Sequence, residues 1–290
     1  MKNKWLLIGV AGSLGFIVLL LMSVFIAASF LGGDKHFVVG SGVGLVEVKG
    51  LIVDSQEIVK QLNDLRKDDS VKAVVLRIDS PGGVVGPSQE IHAEVKKLAA
   101  TKKVVVSMGS IAASGGYYIA AAASRIVANP GTITGSIGVL MRFSNLEGMM
   151  GKIGMKSFTL KAGKFKDVGS PARPMTEQDK AMLQGVIDNT HAQFVRAVAE
   201  GRKLSEADIR EIADGRIFTG EQALDLKLVD RLGTLQDAIE EAGKLAGIKG
   251  EPQLIRPPKK KKLLLDMLVE ETAARLGVAA RQENEFSVNY

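Results

Sequence analysis

Val71-Lys72-Ala73-Val74-Val75-Leu76-Arg77-Ile78-Asp79-Ser80-Pro81-Gly82-Gly83 is the stretch that decides the fold. From Val71 to Ile78 the run is nearly continuously apolar, broken only by Lys72 and Arg77. A strand covered on both faces reads this way, whereas a strand with one wet face alternates. Ser80-Pro81-Gly82-Gly83 then ends the run in a turn, because proline fixes one backbone dihedral and glycine accepts left-handed ones. A helical stripe of Ile91, Val95 and Leu98 follows. Strand, glycine turn and helix together are the repeating unit of an α/β domain with parallel strands.

Working outward, the same alternation holds. Upstream, Val43 to Val48 reads as a strand, and Asp54 or Ser55 can cap a helix carrying Ile58, Val59, Leu62 and Leu65 at helical spacing. Downstream, Val104 to Met108 is a third short strand, Ser114 to Ala123 an alanine-dense helix, and Arg125 to Ala128 a fourth strand. Gly131 to Val139 mixes glycine with β-branched residues and is expected to wrap a site as loop and strand. Leu146 to Ile153 reads as helix, Ser157 to Leu160 as strand and Lys161 to Pro174 as polar loop. Thr176 to Lys203 is a long helix, with Asp179 three residues after its cap. Ser205 to Asp214 and Leu235 to Leu245 are further helices, and a turn with a short strand lies at 214–220.

The chain has 290 residues and a formal net charge of +6. Residues 5–31 form 27 positions without a charged side chain. A bilayer core needs about 20 apolar helical residues, so this run predicts a transmembrane helix. Lys2 and Lys4 ahead of it place the N-terminus on the cytoplasmic side and the rest outside the cytoplasm. The expected organisation is an anchor and linker at 1–35, a catalytic domain at 36–250 and a basic tail at 251–290. The tail holds four consecutive lysines, Lys259 to Lys262. Aromatic residues make up only 5% of the chain and do not interleave with that basic run, which argues against nucleic-acid binding. Cysteine is absent, which removes disulfides and thiolate metal sites. No cofactor or metal is expected.

The chemistry concentrates at three places. Ala112-Ala113-Ser114-Gly115-Gly116-Tyr117-Tyr118 puts a serine between small residues at a strand-to-helix junction. A serine nucleophile needs a base within hydrogen-bond reach. None of His36, His92 and His191 lies in a glycine-rich or polar loop, and His92 and His191 read as packing or surface residues. A neutral lysine can serve instead. Bringing its pKa from about 10.4 to about 7 costs on the order of 4–5 kcal/mol, which burial can supply. Lys164 and Lys166 are both candidates in the downstream loop. The oxyanion of an acyl-transfer step needs backbone donors, available at Gly115 and at the Gly82-Gly83 turn.

At these residues the chain resembles the signal peptide peptidase SppA family of membrane-anchored serine peptidases. The matching segments are Asp79 to Gly83, Ala113 to Tyr118, Thr134 to Val139, Lys164 to Asp167 leading to Ser170-Pro171, and Ala213 to Arg216. Together, in order, they cover about residues 43–245. The resemblance implies a Clp protease/crotonase-like fold of repeated ββα units. It implies Ser114 as nucleophile, Lys166 as general base, Ser136 as the serine that orients the lysine, and Gly83 and Gly115 as oxyanion donors. It further implies a short, single-domain form that assembles into a homo-oligomer with sites shared between protomers, cleaving residual signal peptides and other apolar peptides at the membrane. Two other readings compete: a crotonase-fold enzyme acting on acyl-coenzyme A, and a non-catalytic membrane scaffold.

Overall fold

The computed structural model describes residues 41–257, together with positions 20, 22 and 23. Among the described residues no helix is long and apolar enough to cross a membrane. The span expected at 5–31 lies outside them apart from those three positions, as does the Lys259 to Lys262 run.

The domain opens with β1 (Gly42–Lys49), α1 (Gln56–Lys67), β2 (Val71–Ser80), α2 (Val85–Ala99), β3 (Lys103–Ala113), α3 (Gly115–Ala120) and β4 (Arg125–Ala128). It continues through β5 (Ile133–Gly135), α4 (Glu147–Lys152), α5 (Glu177–Arg202) and α6 (Glu206–Ile212). It closes with β6 (Ile217–Thr219), α7 (Gly220–Asp225), β7 (Arg231–Leu232), α8 (Leu235–Leu245) and β8 (Gln253–Ile255). The sheet runs β6-β5-β3-β2-β1-β8, with β4 also on β3 and β7 on β4. Every pair is parallel except β5 with β6, so the sheet is mixed.

The near-continuous apolar strands are explained by two cores. Val46, Val48, Val74, Leu76, Ile78, Val104, Val106 and Met108 face one core, shared with α1, α2, α3 and α5. Val43, Leu45, Ala73, Val75, Val105 and Val127 face the other, closed by Ala238, Ile239 and Ala242 of α8. Alternate residues of one strand thus enter opposite cores, as the pleat requires. The expected domain end at 250 falls just short of β8, which pairs Gln253 to Ile255 with Gly42 to Gly44 at the sheet edge.

Two elements differ from the sequence reading. Ser157 to Leu160 is not a strand; Phe158 is 86% exposed and Leu160 fully so, with no neighbouring strand to pair. And β3 runs five residues past Met108, up to the residue before Ser114. Its register against β2 jumps from Ile78↔Met108 to Ser80↔Ala112, a bulge at 109–111. One carboxylate oxygen of Asp79 accepts from the amides of Ser110 (3.0 Å) and Ile111 (3.2 Å) and so satisfies the bulged backbone. Before the bulge β3 pairs with β4; beyond it the strand pairs with β5.

Candidate active site

Ser114 follows the last residue of β3 and precedes α3. Its backbone sits at φ 56°, ψ −121°, a region L-residues avoid. Such strain, of order 1–3 kcal/mol, persists only when the surroundings over-determine it. Here they do. The Ser114 amide donates to the Gly135 carbonyl at 2.9 Å, and its carbonyl accepts from Tyr118 at 2.8 Å. Every residue of α3 is buried. The Tyr117 hydroxyl anchors that helix by donating to the Leu228 carbonyl at 2.9 Å, and burial pushes its pKa up. The side chain of Ser114 lies at the end of this rigid lever, and the residue is 4% exposed.

The glycine turn is pressed against the same junction. Gly82 has φ 105°, and a Cβ there would lie 2.7 Å from the Gly115 nitrogen and 2.8 Å from Ser114 Cβ. A Cβ on Gly83 would lie 2.2 Å from the Ile52 carbonyl oxygen. One on Gly115 would lie 3.3 Å from the Gly83 nitrogen and 2.5 Å from Ser88 Oγ. Only glycine fits at these three positions, and the closeness they allow brings the Gly83 and Gly115 amides to one place. The turn is held by Ile52, whose N–H donates to Gly82 O (2.9 Å) and whose carbonyl accepts from Val84 (2.7 Å). That pairing leaves the Gly83 N–H outside the ladder, free to serve another acceptor.

Ser136 is held beside Ser114. It has φ 51° and donates its amide to the Arg216 carbonyl at 2.8 Å. Gly215 donates to Ile137 O at 3.1 Å, and Phe218 packs over Gly135. The segment Ala213 to Arg216 therefore buttresses the Thr134 to Val139 segment.

His36 lies outside the described residues, and among the described residues neither His92 nor His191 is hydrogen-bonded to Ser114. His92 stacks on Tyr118 with ring centroids 4.6 Å apart, and burial lowers its pKa to about 4. His191 lies along α5.

Lys166 and Lys164 are exposed, on a segment of turns between α4 and α5. Within the protomer no hydrogen bond among the described residues joins either amine to Ser114. The protomer thus brings together Ser114, Ser136, Gly83 and Gly115 but not the lysine. Three supporting residues had no sequence signal strong enough to single them out. Asp79 is the first residue of the Asp-Ser-Pro-Gly-Gly stretch, Ser88 is buried under Gly115, and Arg173 anchors the lysine loop. The nearest thing to a signal was the acid preceding the Pro-Gly-Gly turn.

Comparison with known proteins identifies the family. The model of peptidase family S49 matches residues 96–249, and that of the Clp protease family residues 51–131. The mixed α/β sheet fits the Clp protease type of fold. A Synechocystis protein named as a candidate protease is 46% identical over 75% of this chain and 80% of its own length. Protease 4 of Salmonella typhi is 38% identical over 72% of this chain and 35% of its own. An Enterococcus faecium protein named as a candidate signal peptide peptidase SppA is 37% identical over 65% of this chain and 55% of its own. With more than half of its residues matched by the family model, the chain belongs to peptidase family S49, the SppA-type proteases.

Proposed function

We propose that this peptidase is a membrane-anchored serine endopeptidase that degrades residual signal peptides and other apolar peptides with a Ser114/Lys166 dyad. The observation that carries the reading is the strained, buried Ser114 set against the Gly83 and Gly115 amides. Ser114 Oγ attacks the peptide carbonyl carbon while neutral Lys166 takes its proton. The two amides hold the oxyanion, whose stabilisation is commonly the largest catalytic term. Lys166 returns the proton to the leaving amine, and water, deprotonated in turn by Lys166, releases the acyl group from Ser114. Ser136 orients the amine. The strand-turn-helix placement of Ser114 follows the logic of other serine hydrolases, in which a tight turn presents the nucleophile. The protease family supports this reading over acyl-coenzyme A chemistry.

In the proposal the base is completed by a second copy. Lys166 is exposed in the protomer, where water surrounds its amine. The preceding segment is rich in exposed apolar side chains: Met149, Ile153, Met155, Phe158 and Leu160. A soluble protomer rarely shows such a stretch unless something covers it. Packing it against another protomer would strip water from Lys166 and bring it to a neighbour's Ser114. The charge-free run at 5–31 and the two lysines before it support an uncleaved anchor with the catalytic domain outside the cytoplasm.

The test is labelling of the full-length chain in detergent with a serine-directed acylating probe. The adduct is expected on Ser114 by mass spectrometry, lost in Lys166→Ala and absent from monomers separated by size. An adduct elsewhere, or apolar peptide cleavage by Ser114→Ala, would overturn the assignment.

A further inference from the structure

The loop that carries Lys166 has no strand or helix of its own, only single turns: Lys166 N–H to Gly163 O (3.2 Å), Val168 to Phe165 (3.2 Å) and Ser170 to Asp167 (3.1 Å). Val168 is buried and the Pro171 carbonyl accepts from the Leu146 amide at 2.7 Å, but the most extensive tie is one arginine. The guanidinium of Arg173 donates from Nε to Asp167 Oδ2 at 3.0 Å and from one terminal nitrogen to Asp167 Oδ1 at 2.9 Å, a bidentate fork. The same nitrogen reaches the Asp167 carbonyl at 3.3 Å. The other terminal nitrogen donates to Asp179 Oδ2 at 2.7 Å and to the Pro174 carbonyl at 2.9 Å. Arginine has five N–H donors, and all five have acceptors here.

Both carboxylates are fixed from their other sides. Asp179 is buried in the first turn of α5, where its Oδ2 accepts from the Thr176 amide at 3.0 Å and its own amide donates to Thr176 Oγ1 at 3.1 Å. Asp167 also accepts from Lys161 Nζ, which reaches the Lys164 carbonyl at 3.0 Å as well. The residue next to Lys166 is thus bolted through Arg173 to the start of a 26-residue helix. An exposed loop does not need such a network for stability; isolated surface ion pairs contribute little.

We propose that the Asp167–Arg173–Asp179 clamp is a positioning device for Lys166, holding the base-bearing loop at the height where a nucleophile can meet it. The inference rests on the reading of Lys166 as the base. Bidentate pairing fixes direction as well as distance, which a lysine at 173 cannot reproduce. The charged group facing the clamp from the loop is Lys161, and Asp179 comes from α5. Hydrogen bonds from Arg173 keep Asp167 well below the usual carboxylate range and Asp179 at about 2, so the clamp stays ionised at any pH where a lysine base works.

The experiment uses the full-length chain in detergent, with Arg173→Ala, Arg173→Lys and Lys166→Ala. Arg210→Ala, which breaks an exposed helical ion pair with Glu206, is the control. Amide hydrogen exchange across 161–174 reads the clamp itself; the pH profile of kcat/KM on an apolar peptide reads the base. Arg173→Ala is expected to speed exchange in that loop at unchanged exchange in α1. It should lower kcat about 100-fold with KM within threefold, the scale of a misplaced catalytic group, and move the rising limb of the profile to higher pH. Arg173→Lys should behave like Arg173→Ala, and Arg210→Ala like the native protein. Unchanged exchange, or faster exchange with an unaltered profile beside an inactive Lys166→Ala, would overturn the clamp alone. Cleavage by Lys166→Ala would overturn the base assignment on which it rests.

Discussion

Ser114 and Ser136 occupy equivalent places on adjacent strands, one step beyond the last register pair of β3 and β5, Ala113↔Gly135. Both are non-glycine residues with positive φ, 56° and 51°. The two strands end together, and each turns sharply at a serine. The hydrogen bond from the Ser114 amide to the carbonyl just before Ser136 ties the turns to each other. Local strain is thus spent at two positions to bring two hydroxyls to the same edge of the sheet.

The pairing gives a first prediction. Ser136→Ala keeps the backbone hydrogen bond to Arg216 and removes only a half-buried hydroxyl, so stability should change by no more than about 0.5 kcal/mol. If the hydroxyl orients the base, kcat should fall about 10- to 100-fold with KM little changed. Steady-state kinetics beside thermal unfolding decides it; native kcat would remove Ser136 from the mechanism.

The glycine turn gives a second. Gly82→Ala meets both a positive φ and contacts under 3.0 Å to Gly115 and Ser114, and Gly83→Ala would be driven into Ile52. Each should destabilise by about 1–3 kcal/mol and cost at least about 100-fold in kcat, the usual loss of one oxyanion donor. Urea unfolding separates the two effects. A folded Gly83→Ala protein with native kcat would show that the Gly83 amide does not touch the reacting oxygen.

Asp79 gives a third. Asp79→Ala strips the acceptor from two amides of the bulge that hands β3 from β4 to β5. Because Ser110 is exposed, water replaces part of the loss, and stability should fall by only about 1 kcal/mol. Activity should fall further than stability, because Ser114 directly follows the last residue of β3. Asp79→Asn keeps one acceptor oxygen and should restore most of the rate. Equal activity of the alanine and asparagine variants would show that the bulge does not aim the nucleophile.

How much of this was legible depends on what carries each feature. The strands β1 to β4 and the helices between them are written in long apolar runs and helical stripes, which survive without knowledge of the neighbours. The elements that went unread, α7, β7 and β8, are six, two and three residues long, too short for any period to show. Ser157 to Leu160 alternates like a strand, but alternation cannot supply a partner. β3 reads as ending at Met108, because the acceptor that rescues its bulge, Asp79, lies 31 positions before Ser110, one of the amides it serves. The placement of the glycine turn, Ser114 and Ser136 at neighbouring strand ends was readable because their order along the chain is the order of the strands. The clamp on Lys166 was not, since a single arginine serving two acids six residues to either side leaves no motif in a loop.

The last prediction concerns pH and uses His92, which is half-buried against Tyr118 just behind the nucleophile helix. Burial, reinforced by the Lys96 charge and opposed by Glu200, lowers its pKa from 6.5 to about 4. The folded imidazole is therefore neutral in a range where the unfolded one binds a proton. Between about pH 6.5 and pH 4 the unfolded state holds the extra proton, so stability falls as pH falls. At about 1.4 kcal/mol per unit the loss at pH 5 is on the order of 2 kcal/mol, or roughly 5 °C in Tm for a domain of this size. His92→Gln cannot titrate, and its Tm should lose that much less between pH 7 and pH 5 than the native Tm does. Parallel Tm curves for the two proteins over that interval would mean that His92 is solvated in the folded protein and that the acid sensitivity of the fold lies elsewhere.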